Sequence, residues 1–543
     1  MAGSTHSVTN QPPPLTGYDA YTADRALVEA VERHLPPALR DEADGELSAL
    51  GRACGSAQVQ EWGVQANENP PRLRTHDRYG HRIDEVDFHP SWHRLLGKGV
   101  SAGLTAAWTR PGGQVRRAAA FVLWTQVDAG NCCPLSMTHA AVPALRTDPE
   151  LAAEWEPLLT SMVYDRGLRP AAGKAGALFG MGMTEKQGGS DVRANTTRAV
   201  PLAESGTYAL TGHKWFCSAP MSDAFLVLAQ APGGLTCFLV PRVLEDGGRN
   251  VFLLQRLKDK LGNRSNASAE VEFDGTWARR VGEEGRGVRT IIGMVAATRL
   301  DCVLGSAGLM RQAVAQAVHH CAYREAFGAR LVDQPLMRNV LADLAVESEA
   351  ATTLALRLAA ACDDGEQERA LLRIAVPAAK YWVTKRCAPV AVEAAECLGG
   401  NGYVEESQLP RLVRESPLNS IWEGAGNVQA LDVLRVLRRE PAALDAYLRE
   451  VGLARGADHR LDAAIRSLLT ELADLEGIEA RARRVTERLA LVLQGSLLVR
   501  FAPSDVADAF CATRLGGDAG AAFGTLPHSL ARESLVERAR PTL

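Results

Sequence analysis

Apolar residues recur at helical spacing over most of this chain. From residue 21 onward, positions such as Leu27, Val31 and Leu35 repeat every three or four residues, which predicts an amphipathic helix. Helical segments separated by polar turns continue to about residue 178. The same period returns near residue 290 and predicts three long helices, over 310–323, 336–362 and 369–398. Their apolar positions occupy more than one face, as expected for the helices of a bundle.

Between about residues 179 and 289 the pattern changes to that of strands. Four short runs are rich in β-branched and aromatic residues, and Gly-Gly, Asp-Gly and Ala-Pro-Gly-Gly turns separate them. The runs are 207–219, 224–231, 235–241 and 269–273. They predict an antiparallel β-domain.

The order of elements predicts an α+β fold that is mostly α. Its predicted regions are a helical domain over 1–178, the β-domain over 179–289, a helical bundle over 290–440 and a helical C-terminal domain over 441–543. Residues 1–20 are polar and rich in proline. They form either a frayed arm or an ordered arm that packs on a neighbouring subunit.

Composition excludes several classes of protein. The chain has 543 residues, of which 46% are hydrophobic and 23% charged, as in globular proteins. Its net charge of −4 argues against general coating of nucleic acid. We expect no membrane span and no secretory signal, because no apolar run of the required length is present. The 11 Cys lack paired CxxC spacing, which favours reduced thiols and a cytoplasmic location.

A histidine-containing stretch over 74–96 is the nearest approach to a metal site. No pair in it has HxxxH spacing on a clear helix face, so we expect loop histidines and no bound metal.

Two segments of the β-domain contain residues suited to ligand binding. The glycine-rich stretch 181–197 has hydroxyls at Thr184 and Ser190, and forms either an ordinary turn or a backbone cradle for an anion or a ring edge. Adjacent aromatics Trp215 and Phe216 lie in a strand, so we expect them on opposite faces. One of them could then stack on a flat cofactor while the other enters the core.

Glu423 is the candidate general base. It lies between Trp422 and a Gly-Ala-Gly segment, and an amphipathic helix follows. Shielding by the indole should raise the pKa of its carboxyl, which suits proton abstraction near neutral pH. The alternative is a carboxylate that only stabilises the helix N-terminus.

Two further segments could bind a phosphate or an adenine. Arg324 and Gln334 offer donors, and Gly399 and Gly400 would let a ligand approach the backbone closely. Each of these features alone is also common in structural positions.

Together and in this order, the segments resemble the acyl-CoA dehydrogenase superfamily of flavoenzymes. The motifs are TEKQGGSD over 184–191, RxxFG over 324–328, LGGNGY over 398–403 and WEGAGN over 422–427. Further stretches over 133–143 and 257–273 resemble its AidB-like subgroup, associated with the adaptive response to alkylation. The resemblance implies a helical domain, a β-barrel-like middle domain and a helical bundle, here with an added C-terminal helical domain.

The resemblance also implies FAD, bound within a homotetramer at sites shared between subunits. Phe216 stands where many members have a Trp against the isoalloxazine ring, and the 324–334 and 399–402 segments would reach the FAD of a neighbouring subunit. The implied FAD-contacting residues are Met181, Met183, Thr184, Gly189, Ser190, Phe216, Cys217, Ser218, Arg324, Gln334, Gly399, Gly400, Trp422, Gly424 and Asn427.

The implied activity is acyl-CoA dehydrogenation, for example of a short branched substrate such as isovaleryl-CoA. Glu423 would remove the α-proton while the β-hydride leaves to the flavin. The substrate cavity would include Thr184, Ser190 and Arg435. Two departures suggest weak activity: Lys186 replaces the motif's proline, and Arg435 lies about three turns after Glu423, where a cation would weaken the base. Alternatively, Arg435 forms a surface ion pair with Asp432 or Glu440.

The resemblance implies a second function, sequence-independent binding of double-stranded DNA that protects it from alkylation or repairs it, with dehydrogenation vestigial. Arg481, Arg484 and Arg488 recur along one predicted helix face and could contact phosphates. However, residues 441–543 hold 13 Arg and 14 Asp or Glu, a net charge of −1. A solvated face of mixed charge is therefore the alternative.

Overall fold

The computed structural model describes residues 5–364, 366–474 and 476–542. It separates into two compact units. We name residues Gln58–Asp301 the barrel unit, and residues up to Ala57 together with those from Cys302 onward the bundle unit. The boundaries of the four domains that the sequence predicts stay a prediction.

The described residues form 17 α-helices and 11 strands. The helices are α1 Arg25–His34, α2 Pro37–Cys54, α3 Ala57–Glu68, α4 Pro90–Ser101, α5 Gly113–Thr125, α6 Ala129–Leu145, α7 Pro149–Leu159, α8 Gly287–Tyr323, α9 Pro335–Ala361, α10 Glu366–Cys397, α11 Leu409–Glu415, α12 Gly426–Arg439, α13 Pro441–Gly452, α14 His459–Ala473, α15 Ala482–Phe501, α16 Ser504–Phe510 and α17 Arg532–Ala539. The strands are β1 Arg72–His76, β2 Arg82–Asp87, β3 Phe179–Gly182, β4 Arg198–Pro201, β5 Thr207–Ser218, β6 Ala224–Ala231, β7 Gly234–Pro241, β8 Leu253–Leu257, β9 Ser268–Val281, β10 Glu325–Ala326 and β11 Ala329–Arg330.

In the barrel unit, a seven-stranded sheet closes on itself. The order β6-β4-β5-β9-β7 returns to β6, with β3 added beside β6 and β8 beside β9. The four runs predicted from the sequence correspond to β5, β6, β7 and β9. Most pairings are antiparallel, but β3 and β4 each pair with β6 in parallel, which the sequence pattern did not indicate. Phe225, Phe238, Phe252 and Phe273 fill the barrel core.

The first part of the barrel unit holds an element that the helical interpretation missed. Strands β1 and β2 form an antiparallel hairpin within the histidine-containing stretch. Leu73 and Val86 of this hairpin pack against the barrel core, while most of its other side chains are polar and exposed. Strands of five and six residues with so few apolar positions give almost no periodic signal. No group of three potential metal-ligating side chains is present among the residues that the structure describes.

Three long helices dominate the second half of the chain, as predicted. The first is one continuous helix, α8, that begins 23 residues before the predicted start at 310. Within the described ranges it alone is long and apolar enough to cross a membrane. However, 78% of its most apolar 18-residue stretch is buried in the protein. Helices of a packed core meet the same criterion, so this is weak evidence for a span.

In the bundle unit, helix α10 packs against α9, α12, α13 and α15. The C-terminal helices therefore share a core with the helices that precede them. The described part of the N-terminal arm contacts the same chain. Asn10 bonds through its side chain to both the N–H and the C=O of Glu325, and Nε2 of His319 lies 2.8 Å from the carbonyl oxygen of Pro13.

Candidate active site

The glycine-rich loop of the barrel unit is organised around the buried carboxylate of Glu185. This carboxylate accepts five hydrogen bonds, from the side chains of Gln187, Thr196 and Lys214 and from the N–H groups of Thr196 and Thr197. Lys214 and Glu185 are both fully buried, and Nζ lies 2.8 Å from Oε1. Burial alone would raise the pKa of Glu185, but these hydrogen bonds hold it well below its usual range.

Around this anchor, the loop presents the hydroxyls that the sequence singled out. A Cβ on Gly189 would lie 2.4 Å from Oγ1 of Thr184, so only glycine permits this approach. Ser190 is exposed, and Met181, Met183 and Thr184 are half-buried. The N–H of Trp215 donates to the carbonyl of Thr184 at 2.8 Å, which joins the loop to strand β5. The predicted loop and strand residues are thus brought together.

The prediction that Trp215 and Phe216 lie on opposite faces is wrong. The β5–β9 register shifts between Lys214 and Cys217, and this irregularity interrupts the strand alternation. Nζ of Lys258 lies 3.2 Å from the Trp215 ring centroid and 4.6 Å from that of Phe216. Neither ring enters the core, and Phe216 is 49% exposed. Phe216 is therefore accessible to a planar ligand, as its predicted role requires.

The two residues after Phe216 differ in what they can offer a ligand. The Cys217 side chain belongs to the barrel core, and burial raises the pKa of its thiol to about 12. Its predicted cofactor contact could therefore involve only the backbone. Ser218 is half-buried, and its Oγ lies 3.3 Å from Oγ of Ser268.

In the bundle unit, Glu423 lies in a loop with an unusual backbone. Its φ is +57°, in the left-handed region that side-chain-bearing residues seldom adopt, and Gly424 follows with φ +96°. Nζ of the buried Lys380 donates to the carbonyls of Trp422 and Gly424 at 2.7 and 2.5 Å. Nε2 of Gln429, also buried, donates to the carbonyls of Glu423 and Gly424 at 3.0 and 2.8 Å. Three successive carbonyls are thus fixed by two side chains, which maintain the strained conformation.

Trp422 is fixed separately. Its indole Nε1 donates to Oδ1 of Asn419 at 2.9 Å, and the Asn419 amide donates to the hydroxyl of Ser306. The indole is half-buried, and its predicted shielding of the Glu423 carboxylate stays a prediction.

Two cations lie over the start of α12, directly after this loop. A Cβ on Gly426 would lie 3.1 Å from Nζ of Lys385 and 3.2 Å from Nη2 of Arg483. Burial, and then the neighbouring Arg483, lower the pKa of Lys385. The exposed Asn427 follows, where the sequence placed a cofactor contact.

The predicted phosphate-binding Arg324 is held by the N-terminal arm. Its Nη1 donates to the carbonyl of Asn10, and the side-chain amide of Asn10 donates to the carbonyl of the next residue, Glu325. Nε2 of Gln334 donates to the carbonyl of Ala326 at 2.7 Å. The structure therefore groups Arg324 and Gln334 at the β10–β11 hairpin and adds Asn10 to them.

Gly399 and Gly400 begin the short 3-10 turn Gly399–Gly402 that follows helix α10, and both face open space. Gly399 has φ +60°, and no heavy atom lies within 4 Å of a Cβ built on either residue. This open backbone fits the predicted close approach of a ligand.

Arg435 is 59% exposed, and its Nη1 lies 3.5 Å from Oδ1 of Asp432. Asp432 also accepts from Arg373 at 3.1 Å. The ion pair that the sequence left open is present, while the predicted role of Arg435 in a substrate cavity stays a prediction.

The predicted arginine ridge faces a neighbouring helix. Arg481, Arg484 and Arg488 all approach the buried Glu471 of α14, with shortest N–O distances of 3.8, 3.3 and 2.6 Å. Arg484 is 64% exposed, against 29% and 32% for the other two. Arg481 also lies 3.1 Å from Oδ2 of Asp474, so two carboxylates offset part of the charge of the three guanidiniums.

The sequence interpretation missed the residues that hold the motif loops. These are Glu185, Lys214, Lys380, Gln429 and Asn10. A signal existed for the two lysines, because each stands alone among apolar or aromatic neighbours in a chain with few lysines. A lysine in such a setting needs a buried partner.

Comparison with known proteins places these features in a family. The adaptive response protein AidB N-terminal domain matches residues 10–166, the acyl-CoA dehydrogenase middle domain matches 180–276, and the acyl-CoA dehydrogenase C-terminal domain matches 285–438. The AidB protein of Escherichia coli (strain K12) is 47% identical over 522 residues, 95% of each chain. Acyl-CoA dehydrogenase family member 11 of Caenorhabditis elegans is 31% identical over 524 residues, 89% of this chain and 84% of that protein.

A solved structure agrees with this placement. The crystal structure of Caenorhabditis elegans ACDH-11 in complex with C11-CoA superposes with a TM-score of 0.84 at 28% identity, covering 94% of this chain and 93% of that one. A glutaryl-CoA dehydrogenase from Mycobacterium smegmatis in complex with FADH2 shares the fold at 20% identity, with a TM-score of 0.58 over 75% of this chain and 96% of that one. The resemblance and fold predicted from the motifs are confirmed: the chain belongs to the acyl-CoA dehydrogenase family, within its AidB-like subgroup.

Proposed function

We propose that this protein is an FAD-dependent acyl-CoA dehydrogenase in which Glu423 is the catalytic base. The observation that carries the proposal is the Glu423 loop. Glu423 stands at the position of the family's motif glutamate. Hydrogen bonds from Lys380 and Gln429 to the loop carbonyls hold it in a left-handed conformation. Such strain persists only where surrounding contacts impose it, and it is typical of functional residues.

The residues present fit FAD. In the barrel unit, the hydroxyls of Thr184 and Ser190 and the exposed ring of Phe216 suit the flavin. In the bundle unit, the open glycines 399 and 400, with Arg324 and Gln334, suit phosphate and adenine. Trp422, Gly424 and Asn427 complete the set carried over from the family motif. When bound, FAD supplies the acceptor for the hydride.

Glu423 would remove the weakly acidic α-proton of the thioester. Negative charge then develops on the thioester carbonyl oxygen, which needs hydrogen-bond donors. The family pattern makes the Glu423 N–H one donor. A structural relative at 28% identity is in complex with C11-CoA, so the substrate panel runs from isovaleryl-CoA to undecanoyl-CoA.

Anaerobic absorbance spectra of the purified FAD protein test this function. We expect one or more acyl-CoA thioesters to bleach the flavin. Glu423→Gln should lower the rate by about 10²–10⁴-fold, the contribution of a general base, while FAD stays bound. Glu479→Gln, at an exposed carboxylate, is the matched control. Native-rate flavin reduction by Glu423→Gln would remove Glu423 from this role.

We also propose that the functional form is a homotetramer. Support comes from large apolar side chains exposed in the bundle unit near the motif residues: Phe327 at 99%, Tyr403 at 91% and Leu336 at 79%. Light scattering with size-exclusion chromatography should give four chains per particle. Phe327→Asp should shift the mass downward, and a monomeric parent protein would refute the proposal.

Duplex DNA binding is a second candidate, supported by the surplus of guanidinium charge around Glu471 and the exposure of Arg484. Such binding would be independent of base sequence and sensitive to salt. Mobility shift of a duplex over a salt titration tests it, with Arg484→Ala expected to reduce the salt slope. A duplex that is not retarded at low salt would contradict this function.

A further inference from the structure

The loop that carries Glu423 depends on one lysine from helix α10. Lys380 is 1% exposed, and its ammonium donates to the carbonyls on both sides of Glu423, those of Trp422 and Gly424. Its own backbone carbonyl accepts from the hydroxyl of Thr384, one turn further along the helix. The ammonium therefore contacts the loop through main-chain atoms on each side of the catalytic position.

The bond to Trp422 fixes one peptide plane in particular. The C=O of Trp422 and the N–H of Glu423 belong to the same peptide group, and the described residues include no cis peptide. In a trans peptide these two groups point in opposite directions. Because the C=O points at Lys380, the N–H of Glu423 points away from it.

We propose that Lys380 is a positioning residue that aims the Glu423 N–H at the thioester carbonyl oxygen. The inference rests on the proposed function, in which that N–H is a donor to the developing oxyanion. The bond to Gly424 on the far side limits rotation of the loop about Glu423, so the N–H direction is set before substrate arrives. A donor fixed in advance needs no reorganisation as charge develops.

Gln429 has a different part in the same loop. Its amide donates to the carbonyls of Glu423 and Gly424, which lie in the next two peptide groups. Gln429 therefore holds the loop without orienting the peptide that contains the Glu423 N–H. Of these two side chains, only Lys380 controls the direction of the Glu423 N–H.

The test removes the thioester oxygen from the ligand. Isovaleryl-CoA and undecanoyl-CoA are compared with their thioether counterparts, 3-methylbutyl-CoA and undecyl-CoA, in which CH2 replaces C=O. Binding is measured by calorimetry on FAD-loaded Glu423→Gln protein, which keeps the backbone N–H and prevents turnover. We expect the thioesters to bind about tenfold tighter than the thioethers, the effect of one hydrogen bond.

Adding Lys380→Met should abolish this preference while changing thioether affinity by less than about threefold. Lys380→Gln, which keeps one donor, should restore part of the preference and serves if the Met variant fails to fold. Thr384→Val is the matched control, because it perturbs the same buried helix turn without touching the loop, and the preference should survive.

Each outcome has a distinct meaning. A preference that persists in Lys380→Met, or an equal loss of affinity for both ligand types, would reduce Lys380 to a structural residue and overturn the inference. Equal binding of thioester and thioether by the Glu423→Gln parent would overturn both the donor role of the N–H and the inference. Failure of that parent to bind any acyl-CoA would instead overturn the proposed function.

Discussion

Two motif loops of this protein each carry a glutamate and are held by a buried lysine from another element, but the two lysines act in opposite ways. In the barrel unit, Lys214 bonds to the Glu185 carboxylate itself. In the bundle unit, Lys380 bonds to the main chain on both sides of Glu423. One lysine fixes an acid, and the other fixes the backbone that carries an acid.

The difference separates a carboxylate that holds its own loop together from the one that we propose as the catalytic base. Glu185 accepts five hydrogen bonds and has a lowered pKa, so it can neither take up a proton near neutral pH nor move. The described restraints on Glu423 act on its carbonyl and its neighbours' carbonyls. A loop can thus be held in two ways, through the carboxylate that it carries or through its backbone carbonyls.

Breaking the structural pair should have the largest effect on stability. Lys214→Met leaves the Glu185 carboxylate buried without its cation, and loss of one partner of a buried pair costs about 3–5 kcal/mol. Urea unfolding followed by circular dichroism measures this loss. Lys186→Met, an exposed lysine of the same loop, should change the unfolding free energy by less than about 1 kcal/mol. Equal effects of the two variants would contradict the assigned role of Lys214.

Lowering the pH should reveal how much the Glu185–Lys214 pair contributes to stability. The pKa of Glu185 is lower in the folded protein than its ordinary value near 4.5, so its contribution to stability is complete above about pH 4.5 and lost as the pH falls below that value. Unfolding free energy of the parent should therefore fall more between pH 5 and 3 than that of Glu185→Gln. Parallel pH profiles would show that Glu185 does not contribute in this way.

A smaller effect is expected in the second loop. Gln429→Leu removes two hydrogen bonds to the carbonyls of Glu423 and Gly424 and should cost about 1–3 kcal/mol of stability. The flavin reduction rate should fall as well, because the Glu423 backbone loses one of its two restraints. Stopped-flow absorbance measures that rate, and an unchanged rate would show that Lys380 suffices to hold the loop.

The sequence predicted four of the seven barrel strands and the three long helices, because those elements have β-branched and aromatic runs or a helical apolar period. It did not predict β3, β4 and β8, which are only four or five residues long. The prediction of helices up to residue 178 was wrong at the β1–β2 hairpin, whose strands are mostly polar and bury few side chains. The prediction for Trp215 and Phe216 was also wrong, since an irregular register interrupts the alternation on which it relied. Such irregularities depend on the partner strand and leave no local pattern.

For the site, the motif residues themselves could be identified from sequence, since each contains the glycine or polar group that its chemistry needs. The pairing of these residues with their supports could not be identified, because Lys214 lies 29 residues from Glu185 and Lys380 lies 42 residues from Trp422. Asn10 and Arg324 are 314 residues apart in the sequence. No periodic rule links positions so distant.

By itself, the sequence determined the fold class, the family and which glutamate stands in the catalytic motif, because apolar periodicity and short contiguous motifs are local properties of the chain. Only the tertiary structure decided that Glu185 is locked, that the Glu423 backbone is strained and which way its peptide group points. The physical reason is that burial and hydrogen bonding depend on neighbours that folding brings together. The neighbours of a lysine in the sequence can indicate that its ammonium needs a buried partner, but they do not show whether that partner is a carboxylate or two carbonyls.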